Sequence, residues 1–145
     1  MDDARFDPLK LENQLCFPLY ACAREVVKQY KPFLDAIGLT YTQYVTMMVL
    51  WEARETTSKA IGDRLYLDSG TLTPLLRKLE EKGLVTRRRC ASDERNLVVA
   101  VTEAGMALKA RAAEIPGQVS RCINLSAEDA GALYAMLYKL LGAME

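Results

Sequence analysis

The sequence predicts a mainly α-helical chain with a small β-hairpin wing: a winged helix-turn-helix set between N- and C-terminal helical layers. Three observations predict it. Apolar residues recur at helical spacing along most of the 145 residues. Two short helical segments separated by a tight turn come next to each other in the middle of the chain. Directly after them, two β-branched runs flank a charged stretch, as the arms and tip of a hairpin do.

Each element has its own signal. Residues 9–30 place Leu11, Leu15, Leu19, Ala23, Val26, Val27 and Tyr30 at helical spacing, with Pro32 and then Gly38 marking the exit. A second helix is expected from about Thr42 to Ala53. Its nearly all-round apolar character (Tyr44, Val45, Met47, Met48, Leu50, Trp51) predicts burial on several sides. Thr57 caps a third helix through Leu65, and Asp68 or Ser69 caps a fourth, which runs to Lys82 and stops at Gly83. The hairpin arms are residues 84–89 and 97–101, with the polar tip at 90–96. Thr102 caps a helix that reaches about Glu114, before Pro116. The run from Ser126 to Asp129 resembles a capping box and opens the last helix, which carries Leu133, Met136, Leu137, Leu140 and Leu141 on one face.

One domain over 1–145 is expected, with the winged part at 57–101. The amphipathic helices of 9–53 and 102–145 have little of that part left to cover, so a dimerisation layer is their natural use.

Composition excludes several function classes. The chain has no histidine, which removes His-based acid–base and nucleophile pairs and every imidazole metal site. Cys16, Cys22, Cys90 and Cys122 contain no C-x2-C pair, so a structural zinc site is not expected. No cofactor is expected either. No apolar run is long enough to span a bilayer, and the polar, acidic start is wrong for a secretory signal. A cytoplasmic protein without membrane contact is the expectation, with its thiols in a reducing compartment.

Nineteen basic residues balance nineteen acidic ones. The balance is not local: residues 69–101 hold seven basic side chains against four acidic. In the fourth helix Leu72, Leu75, Leu76 and Leu79 form the buried side, while Ser69, Thr71, Thr73, Pro74 and Arg77 lie largely on the other. Hydroxyls and an arginine near a helix start suit phosphates and base edges in a major groove, and Pro74 offers an apolar surface to a thymine methyl. Arg87 adds charge from the first hairpin arm. Arg95, held by an ion pair with Asp93, is expected to enter a minor groove. Leucines at this spacing are by themselves ordinary core, and an arginine run is an ordinary solvated face. Their order and tight spacing point to double-stranded DNA.

The residues from Asp68 to Leu76, Leu79 to Val85 and Asp93 to Arg95 resemble the MarR family of dimeric winged-helix repressors. The segments from Leu11 to Phe17, Gln29 to Pro32 and Leu39 to Tyr44 narrow the likeness to its organic hydroperoxide sensors, the OhrR branch. The resemblance covers nearly the whole chain and weakens after about Gly117. It implies a homodimeric repressor that leaves its operator when an N-terminal cysteine, here Cys16, is oxidised by an organic hydroperoxide. It also implies that Tyr30 and Tyr41 hydrogen-bond that sulfur from the partner chain. The sulfenic acid is resolved in some members by a low-molecular-weight thiol, in others by a second cysteine, for which Cys122 lies in about the right region.

Helix geometry agrees. At about 100° per residue, Tyr20 and Tyr30 each fall about 40° from Cys16, and Cys22 about 120° away. Tyr30 is nevertheless roughly 21 Å along the axis, so only an antiparallel partner helix brings it to the sulfur. The thiolate is the attacking species, and phenolic O–H donors stabilise it. Phe17, Leu19, Met47 and Trp51 are expected to form an apolar pocket for the peroxide. Pro18, inside the helix drawn from residue 9, is expected to kink it and couple oxidation to its movement. Two other readings stay open: a regulator controlled by a small phenolic or aromatic ligand, and a thiol peroxidase using Cys16 and Cys122.

Overall fold

The structure, a computed structural model, describes residues 6–90 and 93–145, and side chains outside 90–96. Two compact units are present, one ending at Ile115 and one spanning Pro116–Glu145. The first contains α1 (Cys16–Asp35), α2 (Tyr41–Ala53), β1 (Glu55–Thr57), α3 (Ser58–Leu65), α4 (Ser69–Glu81), β2 (Val85–Cys90), β3 (Asp93–Val101) and α5 (Glu103–Ala112). Helix α6 (Ile115–Cys122) starts at the boundary, and α7 (Ala127–Ala143) lies in the second unit.

Side-chain caps set the helix starts. Thr57, Asp68, Thr102 and Ser126 each accept the backbone N–H three residues on, at 3.1, 2.7, 3.0 and 3.0 Å. Thr40 and Gln43 close a complete capping box on α2, which therefore begins one residue before the sequence placed it. Helix α4 stops because Gly83, at φ +74°, turns left-handed. Its N–H then reaches Glu80 O at 2.8 Å and the Leu84 N–H reaches Leu79 O at 3.1 Å, the paired closure a C-terminal glycine allows. Asp68→Ala is expected to cost about 1 kcal/mol, read as a lower urea midpoint at unchanged slope.

The core of the first unit centres on α2, where Tyr44, Met47, Val49, Leu50 and Trp51 are buried. Ile61, the four leucines of α4, Val85 and Val99 join it, with Leu34 and Leu39 beside them in the chain's buried set. Each fully buried leucine contributes roughly 1.5–3 kcal/mol. Two buried polar groups of α2 are partnered: Thr46 Oγ1 donates to Thr42 O at 2.7 Å, and Trp51 Nε1 to Gly105 O at 2.8 Å. Among the described residues no helix is long and apolar enough to cross a membrane.

Five expectations are corrected. The first helix begins at Cys16, after a 3-10 turn at Leu11–Asn13, not at residue 9. Pro18 therefore lies in the first turn, where its missing N–H has no intrahelical acceptor to lose, and the reason for a kink disappears. Pro32 does not end the helix, which runs to Asp35. Pro116 does not mark a stop but occupies the second position of α6, an unread helix that tolerates proline in its first turn. The wing is a three-stranded antiparallel sheet in the order β1-β3-β2, because Glu55–Thr57 adds a short third strand on β3.

Candidate nucleic-acid interface and redox site

Helix α4 divides as its sequence pattern requires. Leu72, Leu75, Leu76 and Leu79 are buried, and Ser69, Thr71, Thr73, Pro74 and Arg77 are exposed. Lys78, also exposed, joins Arg77 on the outer side. The turn between α3 and α4 is tight for two reasons. Tyr66 takes the left-handed conformation at φ +56°. Gly62 lets the Leu67 carbonyl approach: a Cβ there would sit 2.8 Å from that oxygen.

Sheet register decides the fate of the arginines on β2. Arg87 lies opposite Val99, which is fully buried, so it shares the core face with Val85. There it meets α4. Glu80 accepts from the Arg87 guanidinium and from its backbone N–H, both at 3.0 Å. The Arg87 side chain is only 19% exposed. Its hydrogen bond to Glu80 holds that carboxyl below the usual carboxylate range. Arg87, expected on DNA, thus has its charge committed within the chain. Arg88, opposite Val98 on the other face, pairs with Glu55 at 2.8 Å. Arg89 is exposed. The expected Asp93–Arg95 ion pair lies outside the residues whose side chains are described; their backbone belongs to β3.

Cys16 is the first residue of α1, and its side chain is exposed. First-turn N–H groups lack intrahelical acceptors, so the sulfur stands at the positive end of the helix dipole. One turn on, Tyr20 is exposed, and Arg24 binds it twice. The guanidinium donates to the phenolic oxygen at 3.2 Å and lies 5.6 Å from the ring centroid. A phenol that accepts this bond retains its own O–H proton for another acceptor. Arg24 is a cation that sequence reasoning left unassigned.

Three other tyrosines gather at the far end of α1. Tyr30 and Tyr41 meet edge-on at 5.0 Å between centroids, and Tyr44, almost fully buried, packs on both at 5.9 and 6.2 Å. Burial pushes the Tyr41 phenol up from its ordinary value, with Tyr30 adding to the effect; the same holds for Tyr44. At neutral pH both phenols therefore keep their protons and act as donors. Tyr44 was not singled out from the sequence as part of this group; its spacing of three from Tyr41 on one helix face was the available signal.

The structure thus brings Tyr30 and Tyr41 together and leaves Cys16 at the opposite end of the same helix. Met47 and Trp51 are core residues, 0% and 7% exposed, whereas Phe17 and Leu19 are 43% and 40% exposed. The four do not share one environment, and the expected apolar pocket is corrected. Cys22 is exposed on α1. Cys122 is exposed in the second unit, its thiol 3.5 Å from Gln118 O.

Comparison with known proteins places these features in context. A family model described as transcriptional regulator SarA/Rot matches residues 28–112. The chain is 50% identical over 137 residues to the organic hydroperoxide resistance transcriptional regulator of Bacillus subtilis, covering 94% of this chain and 93% of that protein. Among solved structures, reduced AbfR bound to DNA matches at TM-score 0.77 and 35% identity, over 93% of this chain and 95% of the other. A MarR variant from E. coli complexed with operator DNA matches at TM-score 0.78 and 25% identity, over 88% and 93%.

Proposed function

The chain belongs to the MarR family of winged-helix transcriptional regulators, among the organic hydroperoxide resistance regulators, and on that basis we propose that it is a homodimeric repressor switched by oxidation of Cys16. The observation that carries the reading is the split of the redox residues along α1. Cys16 and Tyr20 lie at one end and Tyr30 with Tyr41 at the other, about 21 Å apart. An antiparallel α1 from a second copy completes both ends at once. The surface supports such a partner: Phe17, Leu19, Val26 and Val27 of α1 stay exposed, and α7 buries none of its seventeen residues.

In the reduced state the phenols donate to the Cys16 thiolate across the dimer. The thiolate attacks the terminal oxygen of an organic hydroperoxide, the O–O bond breaks, and a sulfenic acid and an alcohol result. The sulfenic acid then condenses with a thiol, releasing water and forming a disulfide. That thiol is Cys122 of the other copy or a low-molecular-weight thiol. Conversion of the sulfur into a disulfide removes the acceptor that ordered Tyr30 and Tyr41. The reading heads then leave the spacing that fits two major-groove half-sites. The cysteine turns over once and is reset by reduction in the cytoplasm, so this is a switch and not an enzyme.

DNA is held by the exposed face of α4. Arg77→Ala is expected to weaken operator binding by about 1–3 kcal/mol if it reads a base, with specificity relaxed at one position. If it holds a phosphate, the slope of log affinity against log salt falls by about 1. The overall reading is tested with a duplex selected from a randomised library by the reduced protein. One equivalent of cumene hydroperoxide releases the duplex, and non-reducing electrophoresis identifies the resolving thiol. A covalent dimer lost in Cys122→Ser assigns Cys122; a monomer that needs added thiol assigns the external one. Unchanged DNA occupancy after stoichiometric oxidation of Cys16 would falsify the switch.

A further inference from the structure

Lys82 ties the end of α4 to the turn that carries Tyr41. Its ammonium donates to Gly38 O, between α1 and α2, and to Gln43 Oε1 at 2.9 Å. The same Gln43 oxygen accepts the Thr40 N–H at 3.1 Å, while the Gln43 N–H donates to Thr40 Oγ1 at 3.3 Å. Gln43 is 4% exposed. Tyr41 stands inside this box, as the first residue of α2.

Neither helix needs the Lys82 side chain for its own closure. The end of α4 is satisfied by the Gly83 and Leu84 N–H groups, and the start of α2 by Thr40 and Gln43. The lysine is an additional tie between two finished helix ends. One of those ends orders a tyrosine of the redox cluster, and the other belongs to the helix that presents Arg77. Its ammonium uses two of three donors, and it also places a cation at the negative end of α1.

We propose that Lys82 is a positioning residue that transmits movement of the Tyr41 turn to the reading helix, acting through Gln43. The inference rests on the redox reading above. When the sulfur no longer orders Tyr30 and Tyr41, the turn shifts, and the shared Gln43 oxygen and the Gly38 carbonyl pull α4 with them. Without the tie, the turn shifts and less of the movement reaches α4.

The test is the ratio of operator affinities before and after one equivalent of cumene hydroperoxide, with thermal unfolding measured alongside. It uses wild type, Lys82→Met, Lys82→Arg and Gln43→Leu. The ratio is expected to shrink by roughly fivefold in Lys82→Met and in Gln43→Leu and to be kept in Lys82→Arg. Gln43→Leu changes no charge, so a smaller ratio there cannot come from a lost phosphate contact. A merely structural role lowers the melting temperature and both affinities together and leaves the ratio alone. If wild type releases DNA and both Lys82→Met and Gln43→Leu release it as completely, the inference is overturned. If wild type itself retains DNA, the redox reading fails first and takes the inference with it.

Discussion

Cys16→Ser retains operator binding in the reduced state and no longer responds to cumene hydroperoxide: this is the largest functional effect expected of any single replacement. Serine preserves the size and hydrogen-bonding capacity of the side chain, and at an exposed first-turn position it fits the helix start. It does not supply the thiolate that attacks an O–O bond, nor a stable oxidised state. Wild type is expected to lose about a hundredfold in affinity on oxidation, and the variant essentially none. Fluorescence anisotropy of a labelled duplex, with mass spectrometry of the cysteines, reads both quantities. The mass measurement matters because Cys22 and Cys122 are exposed too. Release by Cys16→Ser, with oxygen added at either of those residues, would transfer the switch to another sulfur. Release with no cysteine oxidised would point instead to a ligand-controlled regulator.

The exposed side of α4 was legible in the sequence because four leucines fix the helix phase, and that phase assigns every other residue. The arginines of β2 were not. Three identical residues in a row carry no alternation, so nothing in the run says which of Arg87 and Arg88 faces inward. The partner strand settles it, by placing Arg87 opposite Val99. β1 was missed for a related reason: three residues, Glu55–Thr57, are too few to show a period. The prolines misled in a consistent way. Pro18 and Pro116 fall in first turns, where proline costs a helix little, and sequence alone does not locate the helix start that makes them harmless. Pro32 lies inside α1, where its missing N–H forfeits one backbone hydrogen bond without ending the helix. The candidate redox residues were half legible. Helix angles aligned Cys16, Tyr20 and Tyr30, but Tyr44 and Arg24 entered only through contacts.

Gly105→Ala shows most clearly where tertiary contact overrides local preference, and it carries the largest expected effect on stability. Gly105 lies in α5 and Gly117 in α6, so helix propensity alone predicts that alanine stabilises both, by about 0.5–1 kcal/mol. At Gly117 a Cβ meets nothing within 4 Å, and that gain is expected. At Gly105 a Cβ would overlap the Leu84 carbonyl oxygen and stand 2.7 Å from Val101 Cγ2. The Leu84 carbonyl has little room to retreat. It accepts the Thr102 N–H at 3.0 Å, and the adjacent Gly83 O accepts Thr102 Oγ1 at 2.6 Å. On the other side, Gly105 O holds the buried Trp51 indole. Relief therefore requires moving α5 away from the α4–β2 connection, breaking those bonds or opening space beneath Trp51. A loss of about 3–5 kcal/mol is expected, a large part of the total stability of a domain this size. Because the displaced segment begins at the exit of the reading helix, operator affinity falls with it. Urea unfolding of the two variants side by side gives opposite signs if the packing argument holds. A stabilised Gly105→Ala would mean that α5 is free to slide, and that the contact with Leu84 does not hold the wing against the reading helix.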